Sequence, residues 1–333
     1  MRHEIDEIDE RHSFNHRLMV LIPLAIILLL IIFCIIRILI WNKGKDYKFE
    51  KPSDLSNLNT ESEDYYVAMD KNLLSEHADD GELHILFLGD DIFTYGDDAQ
   101  SIPNQVAQAT GATVYNCAFP QSTLALSEAT FNESNANDAF SFSMLALGIH
   151  AGDFSFLDYY KESSTIYDST VEQTIQELKN IDFNKIDIIF LGYGTYDYLN
   201  GHMTTDITSS IALNSVTGSL TAGITTIREL YPHIRFVLMS PTFCYYDEGD
   251  GTLSQGDIRR VGSTNENLGG YVVSMKAVCI DLEVSFLDNY FGIPLNAETA
   301  QQYLVDAIHV NNKCRELIAN KVIDYINTKL YWQ

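Results

Sequence analysis

The residues best placed to do chemistry lie near the C-terminus, in the run Asp306-Ala307-Ile308-His309-Val310-Asn311. A carboxylate three residues ahead of a histidine on one loop can orient the imidazole as a general base. Three earlier blocks carry further polar groups. The first is Gly89-Asp90-Asp91-Ile92-Phe93, paired acids behind a glycine. The second is Asn116-Cys117-Ala118-Phe119-Pro120-Gln121-Ser122-Thr123, and the third is Gly192-Tyr193-Gly194-Thr195-Tyr196-Asp197. Asp90, Asp91, Asp97, Asp98, Asp197 and Asp306 could also gather hard-cation ligands. Most acids of so acidic a chain belong on a solvated surface, and His150 and His202 read as satisfied loop or core histidines.

Each block follows an element that can position it. Leu83–Leu88, Thr113–Phe119, Ile186–Leu191, Arg235–Met239 and Val284–Leu287 are short apolar runs, the signature of buried strands. Helix-like stretches lie between them, at Ile102–Thr110, Val171–Asn180, Leu220–Leu230, Leu268–Leu282 and Cys314–Leu330. Strands alternating with helices predict an α/β fold with a mainly parallel sheet covered on both faces. In such sheets ligands sit beyond the carboxyl ends of the strands, where the blocks fall. Asn132 to Asp168 is long for a strand-to-helix connection. Its aromatics, Phe140, Phe142, Phe154, Phe156, Tyr159 and Tyr160, fit a lid, a substrate wall or an extra packing helix.

Composition removes whole classes of function. The 333 residues carry 21 Lys/Arg against 46 Asp/Glu, a formal net charge of −25. Residues 1–41 hold four Lys/Arg and five Asp/Glu, which leaves the body at −24. Nucleic acid is excluded as a partner, because phosphate contacts need clustered Lys and Arg. Leu18 to Ile36 is an unbroken run of 19 apolar residues, enough to cross a hydrocarbon core. Arg37 can snorkel at its end and Trp41 can anchor at the interface. The sequence therefore divides into a tail (1–17), a transmembrane signal anchor (18–41), a polar stalk (42–80) and a globular domain (81–333). Arg37, Lys43, Lys45, Lys48 and Lys51 after the span outnumber Arg2, Arg11 and Arg17 before it, a bias towards a cytoplasmic body. Cys34 lies in the span. Cys117, Cys244, Cys279 and Cys314 show no CxxC spacing and read as buried free thiols, so neither metal nor cofactor is expected.

In order and spacing the four blocks resemble the SGNH (GDSL-like) hydrolase family over roughly residues 82–330. The Asp-x-x-His element of the final loop is the most specific part, supported by the Thr110–Asn116 stretch and the block after the third strand. The resemblance implies a three-layer α/β/α fold with a flavodoxin-like five-stranded sheet, here preceded by one transmembrane helix. It also implies ester hydrolysis or acyl transfer by a serine, with an oxyanion hole of the serine N–H, a second-block glycine N–H and a third-block asparagine. In this chain the serine position is Asp91. The glycine falls on Gln121, or on Pro120 one register away, and the asparagine position is Tyr196. Asp306 and His309 match the family.

These departures have consequences. Asp91 can pair with a protonated His309 but cannot become an alkoxide, and it places negative charge where an oxyanion would form. Losing one oxyanion donor costs ~10²–10³ in rate, although a tyrosine hydroxyl can still donate. The reading is a degenerate member without ordinary serine-esterase activity. It would be held outside the cell by its bilayer anchor and act as a binding or accessory protein for acylated glycans or a membrane O-acyltransferase, as the resemblance implies. The alternative is an active hydrolase or acyltransferase in which Asp306 and His309 use water or a relocated nucleophile such as Ser122. A metal- or phosphate-handling site is the third reading.

Overall fold

The computed structural model describes residues 63–67, 80–96 and 98–329. The chain divides into two units, Met1–Leu58 and Asn59–Gln333, and the elements below belong to the second. The expected anchor at 18–41 lies outside the described residues. Among those described, no helix is long and apolar enough to cross a membrane.

Alternation along the strands sets the layers. In β1 (His84–Gly89), Ile85 and Phe87 enter one core while Leu86 and Leu88 enter another, and all four are fully buried. β2 (Thr113–Asn116), β3 (Ile188–Gly192), β4 (Arg235–Met239) and β7 (Ser285–Leu287) join it in a parallel sheet of order β2-β1-β3-β4-β7. The order reverses between β1 and β3, and that switch point opens a crevice at the carboxyl edge. β5 (Tyr245–Asp247) and β6 (Leu253–Gln255) form a separate antiparallel hairpin that the sequence did not announce. The five expected strands stand within a few residues of their predicted places. The second is shorter as a regular strand, ending at Asn116, although Cys117 and Phe119 still donate to the Phe87 and Gly89 carbonyls of β1.

α1 (Asp91–Thr94) is a single turn following β1, and α2 (Ile102–Thr110) packs on the Phe87 face. The hydroxyl of Ser101 caps α2 by accepting from the Asn104 N–H at 3.3 Å, with Pro103 early in the helix and Gly111 closing it. The opposite face carries α3 (Phe142–Ala151), then, after α4 (Ser155–Tyr160), α5 (Ser169–Asn180). After the short α6 (Thr195–Leu199), this layer is completed by α7 (Val216–Leu230) and α8 (Leu268–Asp281). α9 (Ala300–Tyr303) precedes the loop that holds Asp306 and His309, and α10 (Asn312–Asp324) returns to the α2 side. The layering is α/β/α.

Two details go beyond the sequence reading. Phe140, Phe142 and Phe154 are core residues, so this part of the 132–168 stretch packs as a helical layer rather than a lid. Within the polar stretch 42–80, Tyr65 pairs antiparallel with Phe286 on β7, its N–H donating at 2.9 Å and its carbonyl accepting at 2.7 Å. Lys321 meets Asp64 at 2.8 Å and Lys276 meets Glu63 at 2.7 Å, fastening the segment to the sheet.

Candidate active site

Close approach of two strand ends builds the floor of the site. A side-chain carbon on Gly89 would stand 2.5 Å from the Gly192 carbonyl, and one on Gly192 would stand 2.5 Å from the Phe93 ring. Glycine at both ends lets the first and third blocks lie side by side with Phe93 wedged beneath them. Asp90 caps α1, accepting from the Ile92 N–H at 3.0 Å while its own N–H donates to Gly192. It is 2% exposed, burial pushes its carboxyl well above the usual range, and its part is to cap the turn.

Asp91 faces the opening. Its Oδ1 accepts from the Thr94 hydroxyl at 3.1 Å, and its Oδ2 meets two groups. One is the Tyr196 hydroxyl and the other is His309 Nε2, at 3.4 Å. On its far side, His309 Nδ1 meets Asp306 Oδ2 at 2.7 Å, and Asp306 Oδ1 accepts the N–H groups of Ile308 and His309 at 2.9 and 2.8 Å. The Tyr95 ring stacks on the imidazole with centroids 3.7 Å apart and 10° between planes. The structure thus brings Asp91, Tyr196, Asp306 and His309 together. The contact the sequence could not show is Tyr196 with Asp91, since it depends on how two strand-end loops are placed.

The electrostatics follow from that arrangement. Burial disfavours a charged His309, but hydrogen bonds to Asp91 and Asp306 outweigh it and raise the imidazole above its ordinary value. Asp306 resists burial through the N–H groups it accepts and is held low. Burial, then the bond to Asp91, lifts the Tyr196 phenol far above the ordinary range, so it stays protonated and donates. A raised folded-state value means the stabilisation from charged His309 is complete below the unfolded imidazole value, ~6.5, and is lost as pH rises through the folded one. By NMR, the His309 ring is expected to titrate above ~6.5, and Asp91→Asn should lower that midpoint. A wild-type midpoint at or below the ordinary value would show that the carboxylates do not hold the ring charged.

Gln121 has φ +55°, the left-handed region natural to glycine, and Pro120 has no N–H to offer. Of the two positions expected from the sequence, Gln121 is the one with a backbone N–H and a left-handed conformation. Ser122 is 3% exposed and its hydroxyl donates to the Phe140 carbonyl at 2.5 Å, so it is a committed structural group and not a free nucleophile. Asp197 is fully buried and accepts from the N–H groups of Leu124 (2.9 Å) and Ala125 (3.0 Å) and from His202 Nδ1 (3.2 Å). It staples the second block to the third. Among the described residues, no three His, Cys, Asp or Glu side chains converge as a metal site would require. The four cysteines of the body are buried and unpaired.

No protein-family model matches the sequence, and no curated protein does. Solved structures do. One crystal structure, 18% identical, overlays 76% of this chain and 100% of its own at a TM-score of 0.53. A possible lipase from Chitinophaga pinensis is 14% identical over 75% of this chain and 100% of its own, with a TM-score of 0.49. A carbohydrate acetylesterase from Sinorhizobium meliloti is 12% identical over 74% and 99%, at 0.45. At such identities the likeness is one of fold. For this chain that fold is the α/β/α layering around the five-stranded parallel sheet.

Proposed function

We propose that this chain is a membrane-anchored SGNH-type protein that has given up the serine mechanism and serves as a cell-surface, glycan-related binding or accessory protein. One observation carries the reading: Asp91 Oδ2 takes both the Tyr196 hydroxyl and His309 Nε2. A ring nitrogen that donates to a carboxylate has no lone pair for a substrate proton, so His309 is not poised as a base. The hydroxyl at the asparagine position is spent on the same oxygen rather than offered to an oxyanion. The space above Asp91, between Thr195, Thr242 and Ile308, is about 20 Å³, room for about one water and not for an ester.

The direct test uses the full chain in a sugar-free detergent, with a small activated acetyl ester and a serine-directed phosphonate. Wild type is expected to show neither turnover nor labelling. Turnover that His309→Ala abolishes would establish the alternative, hydrolysis through Asp306 and His309 with water.

The glycan assignment and the external placement are supported by the resemblance of the four blocks, and the anchor by the 19 apolar residues from Leu18. For the placement, Thr60→Cys should react with a membrane-impermeant maleimide on intact cells. Reaction only after lysis would put the body inside, as the flanking Lys/Arg count favours.

A further inference from the structure

The 132–168 insertion does more than add a helix, because its polar residues wall a cavity of about 480 Å³ beside Tyr196. That size lies within the ~300–1,000 Å³ of small-molecule pockets. Its floor is already committed. Asp138, 4% exposed, accepts from the Ser127 N–H (2.9 Å) and hydroxyl (2.8 Å), and His202 is held by Asp197. Part of its rim is fixed as well, since Asn137 donates to Thr165 at 2.8 Å and accepts from the Ser164 hydroxyl at 2.8 Å. The remaining amides are uncommitted. The side chains of Gln121, Asn135 and Asn200 line the cavity and have no hydrogen-bond partner among the described residues.

The lining also states what it rejects. Among the described residues it contains no Lys or Arg, and its one basic side chain, His202, is already held by Asp197, so a phosphate or carboxylate ligand would find no free cation. Ala136 and Leu199 are its only aliphatic side chains, too little apolar surface for an acyl chain. Nor does the floor offer a free charge: the Asp138 carboxyl accepts from the Ser127 N–H and hydroxyl, and His202 Nδ1 is paired with Asp197 at 3.2 Å. Amides that both donate and accept, with hydroxyls between them and a phenol ring at one end, suit a ligand dense in uncharged hydroxyl and amide groups.

We propose that this cleft binds an uncharged saccharide, with Gln121, Asn135 and Asn200 as its hydrogen-bonding contacts and the committed floor as a rigid base. This deepens the glycan-related reading above and rests on it, because it names the class of glycan and the residues that select it. An acyl group on the sugar would lie outside the cleft, and an acidic polysaccharide is excluded.

The test measures binding of cellotriose, triacetylchitotriose, mannotriose, trigalacturonate and octanoate to the full chain, by saturation-transfer NMR and thermal shift in a sugar-free detergent. At least one neutral trisaccharide is expected to bind. Asn135→Leu combined with Asn200→Leu should weaken it tenfold or more with the circular dichroism spectrum unchanged. Asn200→Asp, which keeps the shape of the side chain, should also weaken it. Preferential binding of trigalacturonate or octanoate would overturn the proposal. So would binding of no neutral sugar, or neutral-sugar binding indifferent to these substitutions. The same preparation is assayed on the activated ester, which separates the two readings. Turnover alongside neutral-sugar binding sinks the non-hydrolytic reading alone, and silence without sugar binding sinks this one alone.

Discussion

Asp91→Ser is expected to change a chain silent towards a serine-directed phosphonate into one labelled in proportion to protein. The substitution removes the oxygen that holds both His309 Nε2 and the Tyr196 hydroxyl. Asp306 still fixes Nδ1 at 2.7 Å, and Tyr95 still stacks on the ring, so the imidazole keeps its orientation with Nε2 released to accept from the new hydroxyl. The released tyrosine can then donate to a developing oxyanion, though from a bulkier frame than the asparagine the resemblance calls for. Adding Tyr196→Asn should raise turnover of the acetyl ester further, by less than the ~10²–10³ that one whole oxyanion donor is worth. If neither the single nor the double variant is labelled while both remain folded, more than the nucleophile has been lost, and the latch is not what keeps this site silent.

Asp197→Ala should be the most destabilising of the single changes around the site. Its carboxylate is fully buried and serves the N–H groups of Leu124 and Ala125 as well as His202, so removal strands three donors at once. Breaking a buried, hydrogen-bonded charged group by deleting one side costs ~3–5 kcal/mol, which for a domain of this size lowers Tm by roughly 10 °C. Thermal unfolding followed by circular dichroism reads it. A loss of less than about 1 kcal/mol, the scale of one ordinary hydrogen bond, would mean that the second block is held by its own packing instead.

The parts of this molecule that the sequence disclosed are those specified locally. The strands buried on both faces are continuous apolar runs such as Ile188–Gly192, and α2 carries its cap, its proline and its closing glycine in order. Asp306 and His309 meet within one loop, so three residues of spacing suffice to pair them. What stayed hidden was specified by distance in the chain. Nothing in the composition of either block shows that Tyr196 would reach Asp91, 105 residues earlier. Expected to serve as a substitute oxyanion donor, its hydroxyl is instead drawn to a carboxylate that only the side-by-side packing of Gly89 and Gly192 places within reach. The aromatics of the 132–168 stretch left a lid, a substrate wall and a packing helix all open for a related reason. Three of them are core side chains, while the residues that face the cleft are small and polar and carry no periodic signal.

The pairing of Tyr65 with Phe286 bears on how such a chain can be shortened. A β-sheet edge with unpaired N–H and C=O groups is a template for another chain, and residues 63–67 occupy that edge on β7 in an orientation opposite to the rest of the sheet. A cut at residue 80, where polar composition ends and the strands begin, would strip this cover and leave Lys276 and Lys321 without Glu63 and Asp64. The stretch that reads as a tether is therefore also a selvedge: trimmed off, it leaves a sheet free to knit with its neighbours.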